Sequence, residues 1–130
     1  MYIIGMGSEI VECLRIAQMI DRYGELFVER IFTNQEVRFC AARTAATQNY
    51  ASHWAAKEAV AKALGIRQLV GFRWSDIEIY HPPEGPVSVR LGGRARELAE
   101  RRGVAQMNVS LAFCRTHATA HAIALGASQE

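Results

Sequence analysis

Apolar and polar positions change period several times along the chain, and each change marks an element. Tyr2 to Gly7 is a short, mostly apolar run that reads as a strand. From Val11 to Tyr23 the apolar positions move to helical spacing, with Leu14, Ile16 or Ala17, and Met19 or Ile20 forming a stripe that Gly24 stops. Glu25 to Ile31 reads as a second short helix. Thr33-Asn34-Gln35-Glu36 is a capping-box pattern, in which the threonine hydroxyl and the glutamate carboxylate satisfy unpaired amides of a first turn. A third helix therefore begins at Asn34 and fades near Arg43. The long central helix runs from about Gln48 to Leu64, and Gly65 can take the left-handed conformation that ends it. Along it Ala51, Ala55, Ala59 and Ala63 recur every fourth residue, a stripe thin enough for another backbone to approach closely.

Beyond this helix the period shortens to two. Ser75 to Tyr80 and Val87 to Leu91 alternate in character, and Pro82-Pro83-Glu84-Gly85 between them predicts an antiparallel pair joined by a long loop. Ala95 to Arg102 reads as a short amphipathic helix before Gly103, followed by strands near Gln106 to Phe113 and His117 to Leu125. Helices set between antiparallel strands predict an α+β fold rather than a parallel doubly wound one. With 130 residues and no repeat or linker, one domain is expected.

Composition narrows the function classes. Half the residues are hydrophobic, which argues against disorder, and no apolar stretch approaches the ~20 residues of a membrane-spanning helix. Met1 leads directly into Tyr2-Ile3-Ile4, without the basic flank, apolar region and cleavage site of a signal peptide, so a cytoplasmic protein is expected. Cys13, Cys40 and Cys114 lack CxxC or zinc-like spacing and read as reduced core thiols. A net charge of +2 gives no argument for nucleic acid, and Arg94, Arg96, Arg101 and Arg102 read as a solvated helix face.

The segment from Trp54 to Gly65 carries the candidate chemistry. At about 100° per residue, Glu58, Lys62 and Gly65 share a helix face with Trp54 and Ala61, so a metal-seeking carboxylate and a phosphate-seeking ammonium point the same way. The spacing by itself also fits a solvated Glu-to-Lys pair worth about 0.3–0.5 kcal/mol. Near the start, Ile4-Gly5-Met6-Gly7-Ser8-Glu9-Ile10-Val11-Glu12 ends an apolar run on acidic residues. Together with Lys57-Glu58-Ala59-Val60-Ala61-Lys62-Ala63-Leu64-Gly65, this segment resembles the holo-acyl-carrier-protein synthases, the small phosphopantetheinyl transferases. Trp74-Ser75-Asp76-Ile77-Glu78-Ile79, the Gly85-Pro86-Val87 turn and Asn108-Val109-Ser110-Leu111 continue the resemblance in the same order.

The resemblance implies a small curved antiparallel sheet packed on the long helix, assembled as a homotrimer with active sites between subunits. It implies transfer of phosphopantetheine from coenzyme A to a serine of an apo acyl carrier protein, releasing adenosine 3',5'-bisphosphate. Magnesium would be held by Glu9 and Glu58, and Lys62 would face the pyrophosphate. Magnesium is often bound by one or two carboxylates plus substrate phosphates, which suits two separated acids. Either Glu58 or a metal-bound water would take the serine proton. Gly65 would pass close to the nucleotide, and Lys57 would have a supporting role. Arg15, Met19 and Arg22, on the first long helix, would meet the acidic carrier.

The chain departs from the family pattern in three places. Glu9 stands where the family has aspartate, which extends the carboxylate by about 1.3–1.5 Å. His53 replaces an arginine and would bind phosphate more weakly. Ala112-Phe113 replaces a polar pair that helps hold coenzyme A, for which Arg115 would compensate. The alternative reading is a degenerate member that binds a carrier or coenzyme A without efficient catalysis; a third is a structural protein with a charged helix. His117 and His121 would share a metal ion only on a helix, because four residues of strand separate them by about 13 Å. Glu12, three residues after Glu9, could approach the metal from outside its direct ligands, but reads first as a first-turn acid that favours a helix N-terminus.

Overall fold

The computed structural model describes residues 1–67 and 71–128. Its centre is a 19-residue helix, α4 (Ala46–Leu64), laid across one face of an antiparallel sheet of three strands in the order β1 (Tyr2–Glu12), β5 (His117–Gly126), β4 (Val104–Phe113). Helices α1 (Cys13–Tyr23), α2 (Glu25–Ile31) and α3 (Asn34–Ala41) lie between β1 and α4 in the chain. Strands β2 (Ile77–Tyr80) and β3 (Ser88–Leu91) form a separate two-stranded sheet, and α5 (Gly93–Arg101) leads into β4. The α+β expectation holds.

The core seam is built from small residues. Ala51, Ala55, Ala59 and Ala63 of α4 are fully excluded from solvent, as are Ala118, Ala120, Ala122 and Ala124 on the facing side of β5. On β1 the same side carries Gly5 and Gly7, where an added Cβ would collide with the carbonyl oxygens of Ala63 and Ala59 respectively. The alanine stripe is thus the surface that lets a strand backbone reach the helix backbone. Gly65 ends α4 at φ 74°, and the Ile66 amide reaches back to the Ala61 carbonyl at 2.9 Å.

Several expectations change. β1 continues five residues past Gly7, so Glu9 lies in a strand, and α1 starts at Cys13 rather than Val11. Glu12 is therefore the residue before the helix, extended and without a capping hydrogen bond, not a first-turn acid. Leu14 is 64% exposed, and Cys13, Ile16 and Ile20 form the inward stripe instead. Cys114 is exposed in the β4–β5 turn, whereas Cys13 and Cys40 are buried. His117 and His121 both lie in β5, on the face away from α4.

A second interior cluster is polar. Lys57 and Glu36 form an ion pair at 2.7 Å with both side chains wholly inaccessible. The Lys57 ammonium also donates to the carbonyls of Trp74 and Ile77, while Glu36 accepts from the amides of Thr33 and Ile79. The capping box read from Thr33 and Glu36 is present, and the same carboxylate ties α3 to α4 and β2. Burial pushes Glu36 up and Lys57 down from their ordinary values, and each partner opposes the other's shift.

Candidate active site

Glu9 occupies the side of β1 that faces α4, because residues 5, 7 and 9 alternate onto that side. Glycine at 5 and 7 brings the strand against the helix, and the next inward position carries the carboxylate. Opposite it, Glu58 and Lys62 project one turn apart from α4. The Lys62 ammonium lies 2.8 Å from the Glu9 carboxylate and 3.2 Å from the Ser8 carbonyl. Its helical neighbour Glu58 is not its ion-pair partner, contrary to the simple i,i+4 pairing.

Glu9, Glu58, Arg15, Trp54, Glu12 and His117 line a cavity of about 300 Å³ at the junction of β1, α1 and α4. Desolvation, then the charge of Glu9, pushes the Glu58 carboxyl up to about 7, against the opposing pull of Lys62 and Arg15. The hydrogen bond to Glu9 raises the Lys62 ammonium from its ordinary value. Lys62 and Arg15 therefore do not outweigh the burial and mutual repulsion of the two carboxylates, whose oxygens are a donor set that suits a hard cation. Among the described residues no group of three or more His, Cys, Asp or Glu side chains forms a complete metal cage. Two carboxylates still suffice for an ion completed by phosphate oxygens and water.

The other predicted residues are more dispersed. Gly65 closes α4 beside the Arg102 guanidinium, at a smaller cavity of about 160 Å³ lined also by Arg67, Arg94 and Arg101. Part of the expected solvated arginine face therefore surrounds the helix end. Arg115 is exposed in the β4–β5 turn, where its carbonyl accepts from Gln48 at 3.0 Å. On α1, Arg15 and Arg22 are exposed and Met19 is half-buried. Sequence reasoning gave Glu12 only an outer place near the metal and did not place His117 in the cavity wall; their cross-strand pairing became visible only once β1 reached Glu12.

His53 sits about 140° around α4 from Glu58, does not line the acidic cavity and is completely inaccessible. Its Nδ1 lies 2.8 Å from the Asn49 carbonyl and its Nε2 lies 3.1 Å from Nε2 of His81. The carbonyl can only accept, so His53 carries its proton on Nδ1 and His81 donates across the pair. Desolvation lowers His53 to about 4. An unfolded histidine binds its proton near pH 6.5, so the native state loses stability as pH falls from there toward 4. Urea unfolding is expected to lose about 2–3 kcal/mol from this group between pH 7.5 and 4.5. In His53→Gln that part of the acid loss should disappear; an identical pH dependence would mean that His53 titrates normally.

Residues 5–123 match the 4'-phosphopantetheinyl transferase superfamily. The chain is 48% identical over 124 residues to the holo-[acyl-carrier-protein] synthase of Rhodopirellula baltica, covering 95% of this chain and 98% of that protein. Among solved structures, the Neisseria meningitidis holo-[acyl-carrier-protein] synthase superposes with a TM-score of 0.82 at 30% identity, over 95% of this chain and 99% of the other. The Bacillus anthracis holo-(acyl-carrier-protein) synthase, solved in complex with CoA (3',5'-ADP), gives 0.78 at 25% identity over 96% and 98%. With Glu9 and Glu58 lining one cavity and Lys62 paired to Glu9 on that shared fold, the chain belongs to the 4'-phosphopantetheinyl transferase superfamily, among its holo-acyl-carrier-protein synthases.

Proposed function

We propose that this holo-acyl-carrier-protein synthase, which transfers phosphopantetheine from coenzyme A to a serine of an apo acyl carrier protein, does so at the cavity between β1, α1 and α4. Glu9 and Glu58 would hold magnesium there. The observation that carries this reading is that Glu9 and Glu58 line one cavity, where desolvation and the charge of Glu9 push the Glu58 carboxyl up to about 7 although Lys62 and Arg15 pull it down. Bound magnesium would offset charge on the coenzyme A pyrophosphate. Lys62, 55% exposed and already beside Glu9, is free at its outer side to meet the leaving phosphate. Arg15 adds a second cation at the α1 wall, with Met19 and Arg22 farther along that helix as contacts for an acidic carrier. The assembled acids and lysine favour a working transferase over a binding-only protein.

Coenzyme A binding followed with and without magnesium, beside mass analysis of an apo carrier, tests the site. Wild type should add phosphopantetheine in a magnesium-dependent way. Glu58→Gln should lose the magnesium-dependent binding and about 10²–10³-fold in transfer, the scale of removing one transition-state charge contact. Unchanged titrations would remove Glu58 from the site.

The same reading includes a trimer. On the sheet face opposite α4, Ile3, Met6 and Ile10 are 58%, 65% and 62% exposed, beside half-buried Ile123 and Leu125. A contiguous apolar sheet face of this kind marks a contact surface, and other copies of the chain are the occupants that complete shared sites. Sedimentation at low micromolar concentration should give three chains for wild type and one for Met6→Glu. A monomeric wild type that still transfers phosphopantetheine would overturn the shared-site reading.

A further inference from the structure

Away from the acidic cavity, two of the four histidines meet across elements far apart in the chain. His53 lies in α4 and His81 directly follows β2, and their Nε2 atoms stand 3.1 Å apart. The His53 ring is held at its far nitrogen, where Nδ1 donates to the Asn49 carbonyl at 2.8 Å, the kind of outer contact that orients a metal-binding imidazole. Phe39 stacks on the His81 ring with centroids 3.8 Å apart. His53 is wholly inaccessible, whereas His81 is exposed and lines a cavity of about 350 Å³ with Gln35, Pro82 and Pro83. That cavity gives an ion a way in and room for water beside it.

The rings are set differently from those of a straight hydrogen bond. Two imidazoles in line across a 3.1 Å contact would hold their centroids about 5.4 Å apart. Aimed at one ion from about 2.0–2.1 Å, with the same separation of nitrogens, they would hold them about 4.8 Å apart. The observed distance is 5.0 Å, nearer the second. The two nitrogens would subtend about 95–102° at such an ion, between the square and the tetrahedral values. We propose that His53 and His81 form a two-imidazole site for one borderline transition cation of the zinc or nickel class, joining α4 to the end of β2. Each Nε2 gives a lone pair, the proton on His81 Nε2 moves to its Nδ1, and water fills the remaining positions. Imidazole suits such ions, whereas magnesium prefers oxygen, and among the described residues no Asp or Glu lines this cavity. Arg43, 3.7 Å from the Phe39 centroid, adds positive charge that disfavours a hard ion further. The site shares no residue with the Glu58 cavity, so it stands whether or not transfer occurs there.

Zinc chloride titrated into metal-stripped protein in excess magnesium, followed by nitrogen-15 spectra of the four imidazoles, reads the ligands directly. The Nε2 signals of His53 and His81 should move together and saturate at one equivalent of zinc. His81→Gln should weaken the binding seen at His53 by roughly tenfold or more. His81→Phe, which keeps a ring on Phe39 and removes the ligand nitrogen, should do the same. His121→Gln, on the far sheet face, should leave it unchanged. Unmoved His53 and His81 signals, movement confined to His117 or His121, or undiminished zinc binding in both His81 variants would overturn the proposal.

Discussion

Replacing Lys57 with methionine is expected to cost about 3–5 kcal/mol of folding free energy, because it leaves a carboxylate buried without its cation. Glu36 has no route to solvent and keeps only the Thr33 and Ile79 amides as partners. A carboxyl in that position takes up a proton, and its folded-state value rises above the unfolded value of about 4.3. Stability should then fall as pH rises above that unfolded value, so the deficit is smaller at pH 5 than at pH 8. Urea unfolding at both pH values measures this, and Glu36→Gln added to Lys57→Met should recover much of the loss at pH 8. A single variant as stable as wild type at pH 8 would show that the pair contributes no net stability. The cavity between β1, α1 and α4 is not lined by Lys57, so the effect belongs to the frame that carries Glu58.

Gly7→Ala is the second large effect expected. Its new Cβ would strike the Ala59 carbonyl and crowd the Lys62 side chain, and a helix backbone cannot give way as a flexible side chain can. Overpacking of this kind costs about 1–3 kcal/mol, and moving β1 off α4 also displaces Glu9 two residues along. Magnesium-dependent coenzyme A binding should weaken together with the thermal midpoint. Gly92→Ala is the control, since its Cβ meets nothing within 4 Å and its φ of −134° suits any residue. Equal behaviour of the two variants would mean that β1 and α4 are not held by backbone contact.

The order of elements and the alanine seam were legible because both depend on local periodicity. The four alanines of α4 announce a close backbone approach wherever their partner lies in the chain. The true end of β1 was not legible, since that strand inverts the usual pattern: glycines and Glu9 face the helix while Met6 and Ile10 face outward. Apolar residues on an uncovered face and an acid on the packed one are what the proposed interface between copies and the proposed site at Glu9 would produce together. Glu36 was legible as a cap but not as the partner of Lys57, because that contact joins residues 21 apart that no local rule connects. His53 was placed from a family position where the usual residue is a cation, whereas a neutral imidazole can be accommodated in the interior.

The glycine seam also limits how the site can vary. A strand that could slide or lift would absorb a longer or shorter acid at position 9, keeping the carboxylate in register with Glu58. Here the strand already rests on the carbonyls of Ala59 and Ala63, so it has no closer position to adopt. The length of the side chain at position 9 is thus expressed directly as reach across the cavity, and an exchange of glutamate for aspartate becomes a change of about 1.3–1.5 Å in carboxylate position with the scaffold held constant.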